Sequence, residues 1–158
     1  MSNAARLTVE DRLEIIELMA RYARAVDTGD LDAYVNNFAP DAILFSRHYG
    51  REAIRTFMGQ VMREGRAGPL ANGDVVFRHF VGQPVIDWDG SVATVHSYSL
   101  WVNVGPNPPI TAAAEYTDTC IQVDGRWVFQ TRDFKRVAGE LPSMATLLEQ
   151  QRLAAGGA

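Results

Sequence analysis

The chain has 158 residues, 47% of them apolar and 22% charged, which is the composition of a folded domain and not of a disordered segment. Its 15 Lys and Arg residues are scattered and its net charge is -4, so nucleic acid is not expected as a partner. No apolar run approaches the about 20 residues of a membrane-spanning helix, and the single cysteine, Cys120, rules out an internal disulfide and suits a reducing, cytoplasmic compartment.

The first helix is predicted to begin after Thr8, which can act as its N-cap. Its apolar positions form one stripe at about 100° per residue. Tyr22 lies at one edge of that stripe and Asp27 at the other. Because a carboxylate is unusual beside an apolar face, Asp27 is the first candidate for a functional residue.

Two shorter helices are predicted next. Asp30 can cap a short second helix that carries residues up to Phe38 and ends at Pro40. A short strand, Ala42 to Phe45, and a polar turn then lead to a third helix from Ile54 to Met62.

From Asp74 onward the apolar period changes to two, which is typical of strands. His79 shares its strand face with Phe77 and Val81 and is therefore predicted to point inward. The later strands, separated by two Asp-Gly turns and a Pro-rich loop, are predicted at Val85–Ile86, Val92–Val104, Ile110–Val123 and Arg126–Val137.

This order of elements indicates an α+β fold, in which N-terminal helices close a curved antiparallel sheet around an apolar pocket. We expect one domain over residues 7–140, followed by a C-terminal helix, begun near Ser143, and a tail over residues 141–158. The convex face of the sheet, with Trp127 and Phe129 as candidates, is expected to need a partner.

Asp27 and His79 are both predicted to point into the interior, where a buried carboxylate needs a partner. An Asp–His pair fixes the imidazole tautomer and stabilises the imidazolium that forms when the ring takes a proton. In an apolar pocket such a base can remove a proton from a carbon next to a carbonyl. The same pattern also fits a structural pair that only joins helix to sheet.

Tyr22 and Arg132 are further candidates for catalysis. The Tyr22 hydroxyl can donate to a substrate oxygen, and it also fits a tyrosine at the edge of the core. Arg132 shares a face with Val128 and Phe134 and can anchor a carboxylate or an oxyanion there. It fits equally a surface arginine that bridges to Asp133 or to a neighbouring strand.

The spacings of metal, nucleotide and serine-hydrolase sites do not occur in the sequence. The three histidines are far apart, there is no Cys-x-x-Cys, and no glycine-rich phosphate loop or G-x-S-x-G is found. Neither a metal nor a cofactor is therefore expected.

Several short motifs resemble the SnoaL-like domain of the nuclear transport factor 2-like superfamily. They are Tyr22-x-x-x-x-Asp27-x-Gly29-Asp30, Phe38-Ala39-Pro40-Asp41-Ala42, Gly50-Arg51-Glu52-Ala53-Ile54, Arg78-His79-Phe80 and Asp124-Gly125-Arg126-Trp127. The resemblance implies a cone of bent sheet closed by helices, a cystatin-like roll that is usually a homodimer or homotrimer. Enzymes of this kind, such as scytalone dehydratase and bile-acid 7α-dehydratase, use an Asp–His pair that Asp27 and His79 match, and the resemblance also implies catalytic roles for Tyr22 and Arg132.

The substrate-reading groups of those two enzymes are not matched, because Val102 and Phe45 stand near positions where they carry polar residues. The resemblance thus implies a cofactor-independent lyase or isomerase, of dehydratase type, acting on another hydrophobic cyclic, polyketide-, steroid- or terpenoid-like molecule. The alternatives are a non-catalytic small-molecule-binding or accessory module, a polyketide cyclase and an epoxide hydrolase. Five aromatic residues are candidates for substrate binding: Tyr49, Phe57, Tyr98, Trp101 and Tyr116.

Overall fold

The computed structural model describes residues 6–64, 66–69, 77–103 and 110–139. The predicted start of a strand near Asp74, the Pro-rich loop over 105–109 and the C-terminal helix from Ser143 lie outside the described residues. The described part contains three helices and seven strands, in the predicted order of helices first and strands afterwards.

The first helix, α1 (Val9–Thr28), begins at the predicted cap, where the Thr8 hydroxyl accepts a hydrogen bond from the Asp11 backbone N–H at 3.0 Å. It ends at Gly29, whose φ of 71° is a left-handed conformation that glycine adopts without strain. Helix α2 (Leu31–Val35) is capped by Asp30, and α3 spans Gly50–Arg63.

The strands are β1 (Phe38–Leu44), β2 (His48–Tyr49), β3 (Phe77–Val81), β4 (Val85–Trp88), β5 (Ala93–Asn103), β6 (Ile110–Val123) and β7 (Arg126–Gly139). They form one sheet in the order β2-β1-β7-β6-β5-β3, with β4 paired to β5. The two Asp-Gly turns join β4 to β5 and β6 to β7, as the sequence predicts. The long strands are antiparallel, but β1 pairs with β7 in parallel.

The second helix is shorter than predicted, because Phe38 and Pro40 belong to β1 and not to a helix. Phe38 pairs with Phe129, but the next register pair is Ile43 with Thr131, so the ladder is interrupted between them. Pro40 falls within this interruption, where its missing N–H removes no ladder hydrogen bond.

The prediction that Trp127 and Phe129 cover the convex face of the sheet is wrong. Both side chains are buried in the main core, and the Trp127 indole N–H donates to the Asp11 carboxylate of α1 at 2.9 Å. The residues instead exposed on the outward face of β3 and β5 are Phe80, Tyr98 and Leu100. The sequence prediction assigns Trp127 and Phe129 to the wrong face of the sheet, because it does not place α1 against β7.

Candidate functional site

The last turn of α1 meets the edge strand β3 at Asp27 and His79. One carboxylate oxygen, Oδ1, lies 2.6 Å from the His79 ring Nδ1. The other, Oδ2, accepts a hydrogen bond from the His79 backbone N–H at 3.1 Å. The same carboxylate therefore holds both the ring and the backbone of one histidine. Its position allows this, because it lies at a helix end beside β3, which is the last of the described strands in the sheet order.

This contact determines which ring nitrogen is free. A carboxylate 2.6 Å from Nδ1 requires a proton between the two atoms, so Nδ1 donates and Nε2 carries the lone pair of the neutral ring. Within the described part of the chain, no group is hydrogen-bonded to Nε2 of His79. The side chains of His79 and Asp27 are 14% and 11% exposed, so the pair is shielded from water without being sealed.

A cleft of about 610 Å³ opens beside the pair, between α1 and the segment from β3 to Pro84. Its small residues, Ala20 and Ala23, leave room along α1. The apolar lining is completed by Ile16, Met19, Phe80, Val81, Gly82 and Pro84, and the polar lining consists of Arg24, Asp27, Thr28, Arg78, His79 and Gln83. The cleft is thus mainly apolar, with the Asp–His pair in its wall.

Aromatic side chains continue from His79 across the inner face of the sheet. The ring centroids of His79 and Trp101 are 5.3 Å apart, and Phe134 follows at 5.8 Å from Trp101 and 5.9 Å from Tyr116. Trp101 and Tyr116 are buried in a small cluster separate from the main core. Of the five predicted substrate-binding residues, these two lie in one group with His79.

The other three predicted substrate-binding residues are placed differently. Phe57 of α3 is half-buried, stacks on His48 at 4.0 Å, and reaches the aromatic group through Phe45. Tyr98 is 68% exposed on the outward face of β5, and Tyr49 is 66% exposed on β2. The structure therefore does not bring Tyr49 or Tyr98 to the Asp–His pair.

Arg132 and Tyr22 lie together in the core, away from the cleft lining. The Arg132 guanidinium lies 4.0 Å from the ring centroids of both Tyr22 and Tyr116, and its Nη1 donates to the Asp118 carboxylate at 2.5 Å. The Tyr22 hydroxyl accepts a hydrogen bond from the Tyr34 hydroxyl at 3.3 Å. Both Arg132 and Asp118 have fully buried side chains, so this second ion pair is sealed from solvent.

The predicted orientation of Arg132 is wrong on one point, and a β-bulge explains the error. Thr119 pairs with Thr131 but Cys120 pairs with Phe129, so Gln130 has no counterpart on β6. The extra residue reverses the inward and outward alternation, and Arg132 reaches the face of Phe129, whose ring lies 4.6 Å from its guanidinium carbon. It keeps the predicted face of Phe134 but not that of Val128.

Asp118 is the partner that sequence reasoning missed. Counting back from the β6–β7 turn, where Val123 pairs with Arg126, an unbroken register would place Asp118 opposite Thr131. The bulge moves the pairing by one residue, to Arg132. The position of the β6–β7 turn therefore indicated that Asp118 and Arg132 lie near each other, although it could not show that they form an ion pair.

Burial perturbs the ionisable groups around Arg132. Desolvation raises the pKa of Asp118 to about 7, against the opposing effect of the Arg132 cation. Burial acts to lower the pKa of Arg132, but the Asp118 charge outweighs it and the pKa is raised, so the guanidinium stays charged. Desolvation also raises the pKa of Tyr34, Tyr116 and Cys120, which keeps these three groups neutral.

Two further observations concern the described residues alone. They contain no group of three or more His, Cys, Asp or Glu side chains arranged to hold a metal ion. None of their helices is long and apolar enough to cross a membrane.

Comparison with known proteins identifies the family. The family model of the SnoaL-like domain matches residues 7–133, whereas no curated protein matches the sequence. A protein of unknown function with a cystatin-like fold from Nostoc punctiforme is 25% identical, with a TM-score of 0.71 over 84% of this chain and 96% of that one.

Two solved structures from Novosphingobium aromaticivorans are also similar. A nuclear transport factor 2-like protein with a cystatin-like fold is 24% identical, with a TM-score of 0.66 over 88% of this chain and 90% of that one. A putative scytalone dehydratase is 19% identical, with a TM-score of 0.65 over 82% and 86%. The fold and the match over residues 7–133 agree with the resemblance seen in the sequence, and the chain belongs to the SnoaL-like domain family.

Proposed function

We propose that this chain is a cofactor-independent lyase or isomerase of dehydratase type, and that His79 is its general base. The observation that carries the proposal is the 2.6 Å contact between Asp27 and Nδ1 of His79, beside an apolar cleft and with Nε2 free of hydrogen bonds to described residues. The likeness to a putative scytalone dehydratase supports the fold needed for such a reaction.

In the proposed reaction, Nε2 of His79 takes a proton from a carbon next to a carbonyl group of the substrate. The electron pair of the broken C–H bond forms a carbon–carbon double bond, and the neighbouring C–O bond breaks. The proton on Nε2 then leaves with the hydroxyl group as water, which returns the histidine to its neutral form. Throughout, the Asp27 carboxylate stabilises the imidazolium and holds the ring in place.

The substrate is proposed to be a hydrophobic cyclic molecule of polyketide, steroid or terpenoid type. Met19 and Val81 offer an apolar surface in the cleft. Trp101 and Tyr116 are buried beyond His79 and outside the cleft lining, and we propose that their rings form a wall behind this part of the cleft. Since Tyr22 and Arg132 are sealed in the core, we propose that they support this wall and do not touch the substrate.

A binding module without catalysis is the second candidate, and one observation favours it. The Asp27 carboxylate accepts a hydrogen bond from the backbone N–H of the edge strand, which is a structural task by itself. In this reading the Asp–His pair joins α1 to β3, and the cleft only holds a ligand.

We propose further that the chain forms a homodimer or homotrimer in a reducing, cytoplasmic compartment. Phe80 is 59% exposed and lies directly opposite Leu100 on the outward face of the sheet, where a second copy would bury both. The free cysteine is buried, as a thiol without a disulfide role. Sedimentation equilibrium tests the assembly, and a monomer at all concentrations would refute it.

The test of the catalytic proposal uses bicyclic β-hydroxy ketones, whose dehydration is followed by the absorbance of the conjugated product. We expect turnover by the wild type and a loss of about 10²–10⁴-fold in His79→Gln. The matched control is His96→Gln, because His96 is exposed and bonded only to Thr117 among the described residues. Equal rates in the wild type and His79→Gln would refute the role of His79 as the general base. Binding of the ketones without turnover would favour the binding module.

A further inference from the structure

The end of α1 is contacted by a segment that the proposed reaction does not use, residues 66–69, which lies along the chain between α3 and β3. Ala67 of this segment is buried in the main core. The next residue, Gly68, packs against Gly29, the residue at which α1 ends. Because Gly29 follows two residues after Asp27, segment 66–69 contacts the backbone beside the carboxylate of the Asp–His pair.

Gly68 and Gly29 approach each other so closely that a side chain at either position would meet backbone or ring atoms. A β-carbon on Gly68 would lie 2.9 Å from the Cα of Gly29 and 3.2 Å from its backbone nitrogen. A β-carbon on Gly29 would lie 3.1 Å from Cδ of Pro69. Since carbon atoms in contact prefer separations of about 3.5–4.0 Å, a side chain at Gly68 must displace the Gly29 backbone or segment 66–69.

The end of α1 has no loop that could absorb such a displacement. Only Gly29 and Asp30 lie between α1 and α2, and the backbone N–H of Asp30 donates to the Ala25 carbonyl oxygen at 3.0 Å. Helix α2 is itself anchored, because Tyr34 and Val35 are buried in the main core. A displacement of Gly29 is therefore expected to reach the last turn of α1.

The contact between Asp27 and His79 is sensitive to the position of that turn. One carboxylate oxygen lies 2.6 Å from the ring Nδ1, and the other accepts from the His79 backbone N–H at 3.1 Å. Hydrogen bonds weaken as their length and angle depart from the optimum. A small shift of the turn therefore weakens the hold on Nδ1, and with it the preference of the neutral ring for the tautomer whose Nε2 is free.

We propose that Gly68 is a positioning residue. Its contact with Gly29 sets the last turn of α1 and thereby keeps the Asp27 carboxylate on Nδ1 of His79. This inference rests on the proposed function in so far as the pair that it positions is the proposed base. The state of the His79 ring can be measured without turnover, so the two proposals can be tested separately.

The test compares Gly68→Ala with the matched control Gly125→Ala. The two glycines have nearly the same φ, 76° and 75°, so alanine brings a similar backbone strain at either position. A β-carbon on Gly125, however, meets no described atom within 4 Å beyond its chain neighbours. We measure the fraction of neutral His79 that carries its proton on Nε2, from the ¹⁵N chemical shifts of the ring. This fraction should rise several-fold in Gly68→Ala and keep its wild-type value in Gly125→Ala.

Kinetics on the bicyclic β-hydroxy ketones give a second readout. Gly68→Ala should lower kcat about tenfold, because proton transfer depends on the placement of the base. It should leave KM nearly unchanged, since Gly68 does not line the cleft. Gly125→Ala should leave both constants at their wild-type values.

Gly29→Ala is the second variant, because its overlap with Pro69 is milder. It should raise the Nε2-protonated fraction of His79 by a smaller factor than Gly68→Ala. An unchanged fraction in folded Gly68→Ala, or an equal rise in Gly125→Ala, would overturn the proposal. If neither Gly68→Ala nor Gly29→Ala folds, the contact serves the fold as a whole and the positioning role is rejected.

The two readouts together separate this inference from the proposed reaction. A changed His79 ring in Gly68→Ala, in a protein whose wild type turns over no ketone, supports the positioning role and rejects the lyase. Turnover that depends on His79, combined with an unchanged ring in Gly68→Ala, supports the lyase and rejects the positioning role.

Discussion

Among the described residues, two buried or nearly buried carboxylates are paired with a basic side chain, and the two pairs differ in almost every physical respect. Asp27–His79 joins a helix end to an edge strand, retains some exposure and lies beside a cleft. Asp118–Arg132 joins two central strands, is fully buried and has the rings of Tyr22 and Tyr116 on its sides. The surroundings of the two pairs assign them different tasks.

The comparison teaches that access, and not the strength of a contact, separates a candidate for chemistry from a structural pair. The two contacts have similar lengths, 2.6 Å and 2.5 Å. A histidine can exchange a proton near neutral pH, whereas an arginine keeps its charge and serves as a fixed cation. The pair that reaches the cleft also has the group that can transfer a proton.

The largest expected effect comes from breaking the sealed pair. Arg132→Met leaves the Asp118 carboxyl buried without its partner, and we expect a loss of about 3–5 kcal/mol in the free energy of unfolding. Adding Asp118→Leu should restore most of that loss, because two apolar side chains of similar volume leave no buried charge without a partner. Urea unfolding of both variants measures this. A single substitution as stable as the wild type would show that the ion pair contributes nothing.

The two pairs also differ in how far the sequence predicts them. Asp27 stood at the edge of an apolar stripe and His79 on an inward strand position, so periodicity alone placed both correctly. The Asp118–Arg132 pair could not be predicted from periodicity, because the bulge at Gln130 shifts the register of β6 and β7. A bulge depends on packing between distant strands and leaves no mark in the local period.

Element boundaries show the same limit. The 14 residues of β6, Ile110–Val123, have the predicted ends, since turn residues and alternation agree there. In β1, Pro40 indicated the end of a helix but lies where the β1–β7 ladder is interrupted, which local preference cannot reveal. Which aromatic residues face inward also depends on the assembled sheet, and Tyr98 was placed on the wrong side for this reason.

A smaller effect is expected from pH. Because burial raises the pKa of Asp118 to about 7, the folded chain holds this proton more tightly than the unfolded chain, whose carboxyl has its ordinary pKa near 3.8. The resulting stabilisation is fully present below about pH 4 and is lost as the pH rises through about 7. Relative to Asp118→Asn, the wild type should therefore become less stable over this range. Urea titrations across this pH range measure it, and a relative gain would contradict the raised pKa.

The smallest expected effect concerns the accessible pair. Asp27→Asn keeps an acceptor for the His79 backbone N–H and lies near solvent, so we expect it to lower the free energy of unfolding by about 1 kcal/mol. His79→Gln should cost a similar amount. A loss as large as that of Arg132→Met would mean that the Asp–His pair is a structural lock between α1 and β3, and the comparison between the two pairs would fail.

The most direct test of the central claim is the tautomer of His79, measured from the ¹⁵N chemical shifts of its ring, with His79→Gln used to assign the signals. The contact with Asp27 predicts that the neutral ring carries its proton on Nδ1 and keeps Nε2 free to accept one. Asp27→Asn should abolish this preference. A wild-type ring protonated on Nε2 when neutral would contradict the account, because no lone pair would then be available to take a proton from the substrate.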